Sequence, residues 1–462
     1  MSMFARGRGL MMPARLMLTR QIARFLMSKG IWGPNALQDG LNSKEYKTLS
    51  PGEGSGPAPS VFRDFLFVPA FTVPFTTTVN VSGGGAALQA AVTAAAASTK
   101  LVITDSLDYS GIVVTGKTDL TIEAAAGQTP TITAAAGVSQ SAVRIAAGNS
   151  GLALRRLGLV GNGNQNALSQ SDNGILLGTA AVTGMATFDR LIVHDCIFTE
   201  LTPALGVPGV QLIGTNGLSH DNVWILRCTF TDCSTPAFAT GAGYGAVTIG
   251  GFGTIVVQNS VIRRVTVARA ASHMRGVVFK NSGSIIEDNL CYDLGTAGSN
   301  EAFKSNDEAI FGSVVGNANV KNCVAYNCKR GYRLTLAGAG LKNSNCVFYN
   351  DTAGICAGQI IMRCDAPPGI YLVESCVIQS AGDGTAFSAA FVLENHTDVF
   401  GVAANGKVLD PTDLTVDPLL SNPGLHDYRA TDPAVAIGGL NPGTPMGVKY
   451  PGGDVIVWAG VP

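Results

Sequence analysis

Leu191-Ile192-Val193-His194-Asp195-Cys196-Ile197-Phe198 reads as a strand, a bend and the start of a second strand, and its pattern returns along the chain. The last four residues recur as Arg227-Cys228-Thr229-Phe230, Asn259-Ser260-Val261-Ile262, Asp288-Asn289-Leu290-Cys291, Asn322-Cys323-Val324-Ala325, Asn345-Cys346-Val347-Phe348 and Ser375-Cys376-Val377-Ile378. From Cys196 onward the second positions are separated by 32, 32, 29, 34, 23 and 30 residues, and periods of about 20–50 residues mark a solenoid. Three residues before each anchor stand Val193, Ile225, Val257, Ile286, Val320, Asn343 and Val373; two residues after it stand Phe198, Phe230, Ile262, Cys291, Ala325, Phe348 and Ile378. These columns are almost wholly apolar, and a column five residues before the anchor is apolar except at Ser284, so each repeat alternates inward and outward as a strand does.

A second phrase falls between the anchors, at Gly174-Ile175, Gly209-Val210, Gly245-Ala246, Gly276-Val277, Gly331-Tyr332 and Gly358-Gln359. It predicts a further strand per coil, entered through a glycine turn. Glycine and asparagine at the corners suit the left-handed backbone angles of tight bends. Around ten coils at ~4.8 Å would make a rod roughly 50 Å long.

Composition agrees with a molecule that buries much of its surface. Charged residues are 14% of the 462, against about 25% in an ordinary soluble domain, while the apolar fraction is 46%. Net charge is −1, so nothing marks the whole chain as a nucleic-acid coat, and nucleic acid is not expected as a partner. The charge is uneven. Arg6, Arg8, Arg15, Arg20, Arg24 and Lys29 precede the first acid, Asp39, which leaves −7 for the remainder (−1 minus 6). Arginines interrupt every apolar run of that first segment, so it lacks the form of a secretory signal, and no run reaches the ~18 apolar residues of a membrane span.

The repeats resemble the pectate-lyase-like superfamily of right-handed parallel β-helices. Ala87-Leu88-Gln89-Ala90-Ala91-Val92 resembles the amphipathic helix that caps the N-terminal end in that family, with the first coil running from Leu101-Val102-Ile103-Thr104 to Leu120-Thr121-Ile122. Val416-Asp417-Pro418-Leu419-Leu420, His426-Asp427-Tyr428-Arg429 and Asp432-Pro433-Ala434-Val435-Ala436-Ile437-Gly438 resemble the closing segment of many β-helix proteins. The resemblance implies an all-β chain: a single-stranded right-handed parallel β-helix solenoid with an N-terminal capping helix and an extended N-terminal arm. The expected boundaries are an arm over 1–83, the β-helix over 84–400 and a closing segment over 401–462. Activity does not follow, because the superfamily holds polysaccharide lyases, glycoside hydrolases, phage tailspikes and other virion proteins. Asn222-Val223-Trp224-Ile225 resembles a phrase of pectate lyases, but Leu226-Arg227 stands where the family has an Asp-His pair that serves its calcium site.

Cys196, Cys228, Cys323, Cys346 and Cys376 share one column and are expected as an interior ladder of free thiols, since in-register neighbours ~4.8 Å apart exceed the ~3.8 Å between Cβ atoms that a disulfide wants. Cys228/Cys233 and Cys323/Cys328 lack the spacing of a zinc site, the five histidines are scattered, and no P-loop, GxSxG elbow or acidic calcium loop occurs, so no metal or cofactor is expected. The best chemical cluster is what reads as a long insertion with Glu301, Lys304, Asp307 and Glu308, followed on later coils by Arg330, Arg333, Arg363 and Asp365. Asp307, Glu308, Arg333, Arg363 and Asp365 are the catalytic candidates, since paired carboxylates hydrolyse glycosidic bonds and arginine serves acidic sugars. The alternative for the same residues is a solvated face with ordinary ion pairs.

Residues 1–83 fall outside the repeats. Leu18, Ile22, Phe25 and Leu26 recur at helical spacing beside Arg15, Arg20 and Arg24, describing a basic amphipathic helix whose favoured role is docking on an acidic protein surface. A linker, Ser50-Pro51-Gly52-Glu53-Gly54-Ser55-Gly56-Pro57, leads to an extended aromatic segment with Phe62, Phe65, Phe67, Phe71 and Phe75. Those rings either cover the rod or clamp a neighbouring subunit. The expected function is a structural virion protein of a bacteriophage, localised to the virion. Its arm would bind capsid or tail proteins while the rod projects as a decoration, fibre or spike, with self-association as a homotrimer an open possibility. The alternatives are a polysaccharide lyase or glycoside hydrolase acting on a surface polysaccharide, and a bacterial surface adhesin.

Overall fold

The computed structural model describes most of residues 75–448; residues 1–74 and 449–462, and internal stretches of which the longest are 162–172, 178–189, 200–209, 236–244 and 306–316, lie outside the described residues. All described residues belong to one compact unit. Among them the strands assemble into three long parallel sheets of 12, 11 and 10 strands and two small two-stranded ones. Each coil contributes one strand to every long sheet in turn. In one such coil Arg190–His194 lies in the first sheet, Ile197–Thr199 in the second and Val210–Ile213 in the third, before His220–Leu226 returns to the first. The chain is therefore a parallel β-helix, with the right-handed crossover that strand twist favours.

The register matches the repeat read from the anchors. Val193 pairs with Ile225, Ile225 with Val257 and Val257 with Ile286; across the bend Phe198 pairs with Phe230, Phe230 with Ile262 and Ile262 with Cys291. All these side chains are buried, and like residues stack on like: the rings of Phe198 and Phe230 lie 4.4 Å apart, those of Phe303 and Tyr332 5.2 Å apart.

The bend between the first and second sheets explains the repeated phrase. Arg156, Asp195, Arg227, Asn259, Asp288, Asn322, Asn345, Ser375 and His396 all have positive φ, between 49° and 59°, and each directly precedes a ladder residue. That left-handed angle turns the chain in one residue, and Asn and Asp tolerate it better than most. The ladder residues then satisfy the backbone. The Cys228 thiol lies 3.4 Å from the Leu226 carbonyl in its own coil and 3.6 Å from the Val193 carbonyl in the preceding one. Cys196, Cys323, Cys346 and Cys376 repeat this pattern. Where the ladder changes residue the function persists: Asn289 donates to the Val257 carbonyl and accepts from the Ser260 N–H. The nine described cysteines are free and buried.

Four expectations are corrected. First, paired structure begins before residue 84: Thr77–Val81 forms the first rung of the first sheet, in register with Thr99–Ile103, and the capping helix α1 (Ala87–Ala94) follows it, burying Leu88 and Val92. Val81 alone of that strand is buried, and Val79 two residues before it is exposed. Second, Gly245, Gly276 and Gly331 lie within strands rather than in turns. A Cβ on Gly276 would sit 2.6 Å from the Ala302 carbonyl and from the Cys291 sulfur, and one on Gly331 would sit 2.8 Å from the Phe348 ring, so close approach demands them. Third, Glu301 does not belong to an insertion. Glu301–Ser305 is a strand of the third sheet whose Phe303 fills the core, although its charged neighbours conceal the pattern. Fourth, the closing segment does not simply end the rod. After Leu414 pairs with Asp398, the chain turns back along the second sheet, where Tyr428 packs against Tyr326 and Tyr349 and Gly447 N–H donates to the Ser375 carbonyl.

Candidate arginine–carboxylate site

Three adjacent strands of the third sheet, Glu301–Ser305, Arg330–Leu334 and Ile360–Cys364, bring the sequence candidates together. Register makes the cluster: Glu301 lies opposite Arg330, while Lys304, Arg333 and Arg363 form one column. Alternation places that column opposite the core-facing column of Phe303, Tyr332 and Met362. Glu301, with no exposed surface, accepts from Arg330 at 3.0 Å and from Arg333 at 2.5 Å. Arg333 turns its other edge to Asp365 at 2.5–2.6 Å, and Asp365 also accepts from Arg363. Three guanidiniums thus surround two carboxylates, an excess of one positive charge (3 − 2) among these five side chains.

The two inner arginines respond oppositely. Burial pulls Arg330 below its ordinary value despite Glu301, helped by the positive charges of Arg363 and Arg333, and its Nε finds no acceptor. Burial acts in the same sense on Arg333, but Glu301 and Asp365 outweigh it and raise its value. Arg333 is therefore the bridging residue that both acids hold, and Arg330 is the poorly neutralised one.

Of the five catalytic candidates, Arg333, Arg363 and Asp365 meet here; Asp307 and Glu308 lie outside the described residues. Of the partner-binding candidates, Arg15, Arg20, Arg24, Phe62, Phe65, Phe67 and Phe71 also lie outside them. Phe75 is described: it is half-buried, with the Lys100 ammonium 5.8 Å from its ring centroid, so this ring rests on the rod's own first coils. The sequence reading missed a tyrosine stack on the outside of the second sheet, where Tyr326 lies 5.5 Å from Tyr349 and 6.5 Å from Tyr292. The signal was present, since each tyrosine stands three residues after a ladder residue. Among the described residues, no group of three His, Cys, Asp or Glu side chains has the arrangement of a metal site, and no helix is long and apolar enough to cross a membrane.

No protein-family model and no curated protein sequence matches the chain. Among solved structures, a polygalacturonase from Erwinia carotovora ssp. carotovora aligns over 74% of this chain and 94% of its own, at 9% identity and a TM-score of 0.30. A likeness of that size says nothing about activity. The chain is a parallel β-helix on the strength of its own three hydrogen-bonded ladders.

Proposed function

We propose that the protein is a structural β-helix rod of a bacteriophage virion, held to capsid or tail by its N-terminal segment and presenting its sheets outward without chemistry of its own. The observation that carries the absence of chemistry is the state of the two described acids of the cluster. Glu301 is wholly enclosed beneath two guanidiniums and Asp365 is held by two, so neither is free to carry a proton to or from a substrate. Attachment to a particle draws its support from the sequence, in the concentration of positive charge before Asp39 and the run of phenylalanines from Phe62 to Phe75.

The cation excess beside Asp365 favours a second reading, a polysaccharide lyase or glycoside hydrolase acting on an acidic surface polysaccharide, whose carboxylates would meet Arg363. One experiment separates the two. Phage particles lacking the protein are sedimented with the full chain and with a full chain carrying Arg15→Glu, Arg20→Glu and Arg24→Glu, and both proteins are assayed for release of oligosaccharides from host capsule. Cosedimentation of the unaltered chain alone, without release, supports the virion rod. Release by both chains without cosedimentation overturns it in favour of the enzyme.

A further inference from the structure

We propose that the segment from Leu414 to Val448 is a latch closed along the flank of the rod, and that its closure depends on pH through the carboxyl group of Asp398 at its root. The described parts of this segment form a small unit. Leu420–Asn422 pairs antiparallel with Asp427–Ala430, Asp432 caps the short helix α2 (Pro433–Ile437) by accepting from the Ala434 and Val435 N–H groups, and Met446 N–H donates to the Val435 carbonyl. The unit grips coils well before the end of the rod. Leu440 N–H donates to the Ser375 hydroxyl at 2.8 Å, Asn345 donates to the Pro445 carbonyl at 3.2 Å, and Tyr428 is fully buried against Tyr326 and Tyr349. Gly447, at φ +77°, passes so close that a Cβ would stand 3.0 Å from methyl groups of Val347 and Val377.

This grip rests on a few hydrogen bonds and on the buried side chains of Tyr428, Val435, Met446 and Val448. Its root is electrostatically strained. Asp398, on the last strand of the second sheet, has no exposed surface; one carboxyl oxygen accepts from the Val416 N–H at 3.1 Å and the other finds no donor. The charges that bear on it are Asp432 and Asp417 from the latch and Asp413 from the preceding turn, all of its own sign. The neighbouring cations are committed elsewhere: Lys407 to Glu394 and the Val392 carbonyl, Arg429 to Asp427, while His396 acts on Asp410. Burial first, then these acids, push Asp398 up to about 7; burial and Glu394 push Asp413 up to about 6.

The direction follows from linkage. A released latch returns Asp398 to water, where an aspartate titrates near ~3.9, so opening sheds a proton throughout the interval between about pH 4 and 7. Closure is therefore strongest in acid, weakens by up to tenfold per pH unit across that interval, and levels off above pH 7. Release uncovers the stacked Tyr326 and Tyr349 together with Val347 and Val377, an aromatic and aliphatic stripe on the second sheet.

Hydrogen exchange of the full-length protein, normalised to the intrinsic amide rate at each pH, reads the opening directly. Between pH 4.5 and 7.5 the latch amides of Leu440 and Gly447, which donate across to Ser375, are expected to lose at least tenfold in protection, while the coil amides of Val261 and Val324 stay constant. Asp398→Asn, which keeps the shape of the protonated group, is expected to hold the latch at its acid-state protection over the whole range. Equal protection at both pH values in the unaltered chain overturns the proposal, as does an undiminished pH response in Asp398→Asn or a parallel loss in the coil amides. Should Asp398→Asn fail to fold, Asp432→Asn removes one of the facing charges from the exposed side and is expected to reduce the response; an unchanged response counts against the latch.

Discussion

Asn259 shows how single residues decide the bend. Its φ of 50° lies where β-branched side chains collide with their own backbone, and no partner holds its side-chain carbonyl. Asn259→Gly is therefore expected to be neutral within about 0.5 kcal/mol, and Asn259→Val to cost about 1–2 kcal/mol; chemical unfolding of the two variants measures the difference. The adjoining ladder makes a separate prediction. Burial raises the Cys228, Cys291, Cys323 and Cys376 thiols well above their ordinary range and Cys356 to about 12, so these five are expected to resist iodoacetamide at pH 8 in the native protein and to react in denaturant, as followed by mass spectrometry. Both features were partly legible in sequence. The cysteine column stood out as a column, and asparagine at the corner pointed to the left-handed angle. Arg156 and Arg227 at the same corner carried no such signal, because arginine, unlike asparagine, aspartate or histidine, is not enriched at that angle and is held there by its neighbours in the stack. Asp195 does so for Arg227, at 2.7 Å.

At the scale of the element, the strand Glu301–Ser305 ties the fold to the candidate site. Its partners make Glu301 a buried counter-ion: in Glu301→Gln an amide oxygen can still accept, but Arg330 loses its counter-charge and Arg333 keeps only Asp365. That substitution is expected to cost about 3–5 kcal/mol of stability, the usual penalty for leaving buried charge unmatched, in a thermal or urea unfolding experiment. A surface carboxylate waiting for substrate would cost far less. The strand Arg275–Lys280 makes a steric prediction: Gly276→Ala places a methyl group against the Ala302 carbonyl and the Cys291 sulfur and is expected to destabilise by about 1–3 kcal/mol. Neither strand was readable with the same clarity as the anchors. A glycine in sequence advertises freedom to turn, whereas these are chosen for the space a neighbouring coil leaves. The Glu301 strand also hides its inward phenylalanine among charges whose partners lie 29 and 32 residues away.

For the molecule as a whole, each coil touches chiefly the coils before and after it, which makes its stability a sum of local and nearest-neighbour contributions. Excising the 32 residues from Ile197 to Cys228 joins Cys196 to Thr229 and leaves every ladder in register. The shortened chain is expected to keep a β-rich circular dichroism spectrum and cooperative unfolding at a lower midpoint, whereas removing only the first half of that stretch is expected to abolish folding, because all later inward columns would lose their partners.

By itself the sequence determined the coil: where the strands flanking the seven anchors lie in the first two sheets, which of their residues face inward, and which position turns the chain. Those properties follow from alternation and from a phrase that occurs seven times, and each is local to about thirty residues. Only the tertiary structure decided the rest. It set Glu301 beneath Arg330 and Arg333, lined up Arg363 with Asp365, stacked the outer tyrosines, and turned the C-terminal segment back so that Asp398 meets Asp417 and Asp432. The physical reason is that outward-facing residues in a solenoid are free of the packing rule that fixes the inward ones. Their neighbours come from coil height and loop length, and no local pattern in the chain encodes those two quantities together.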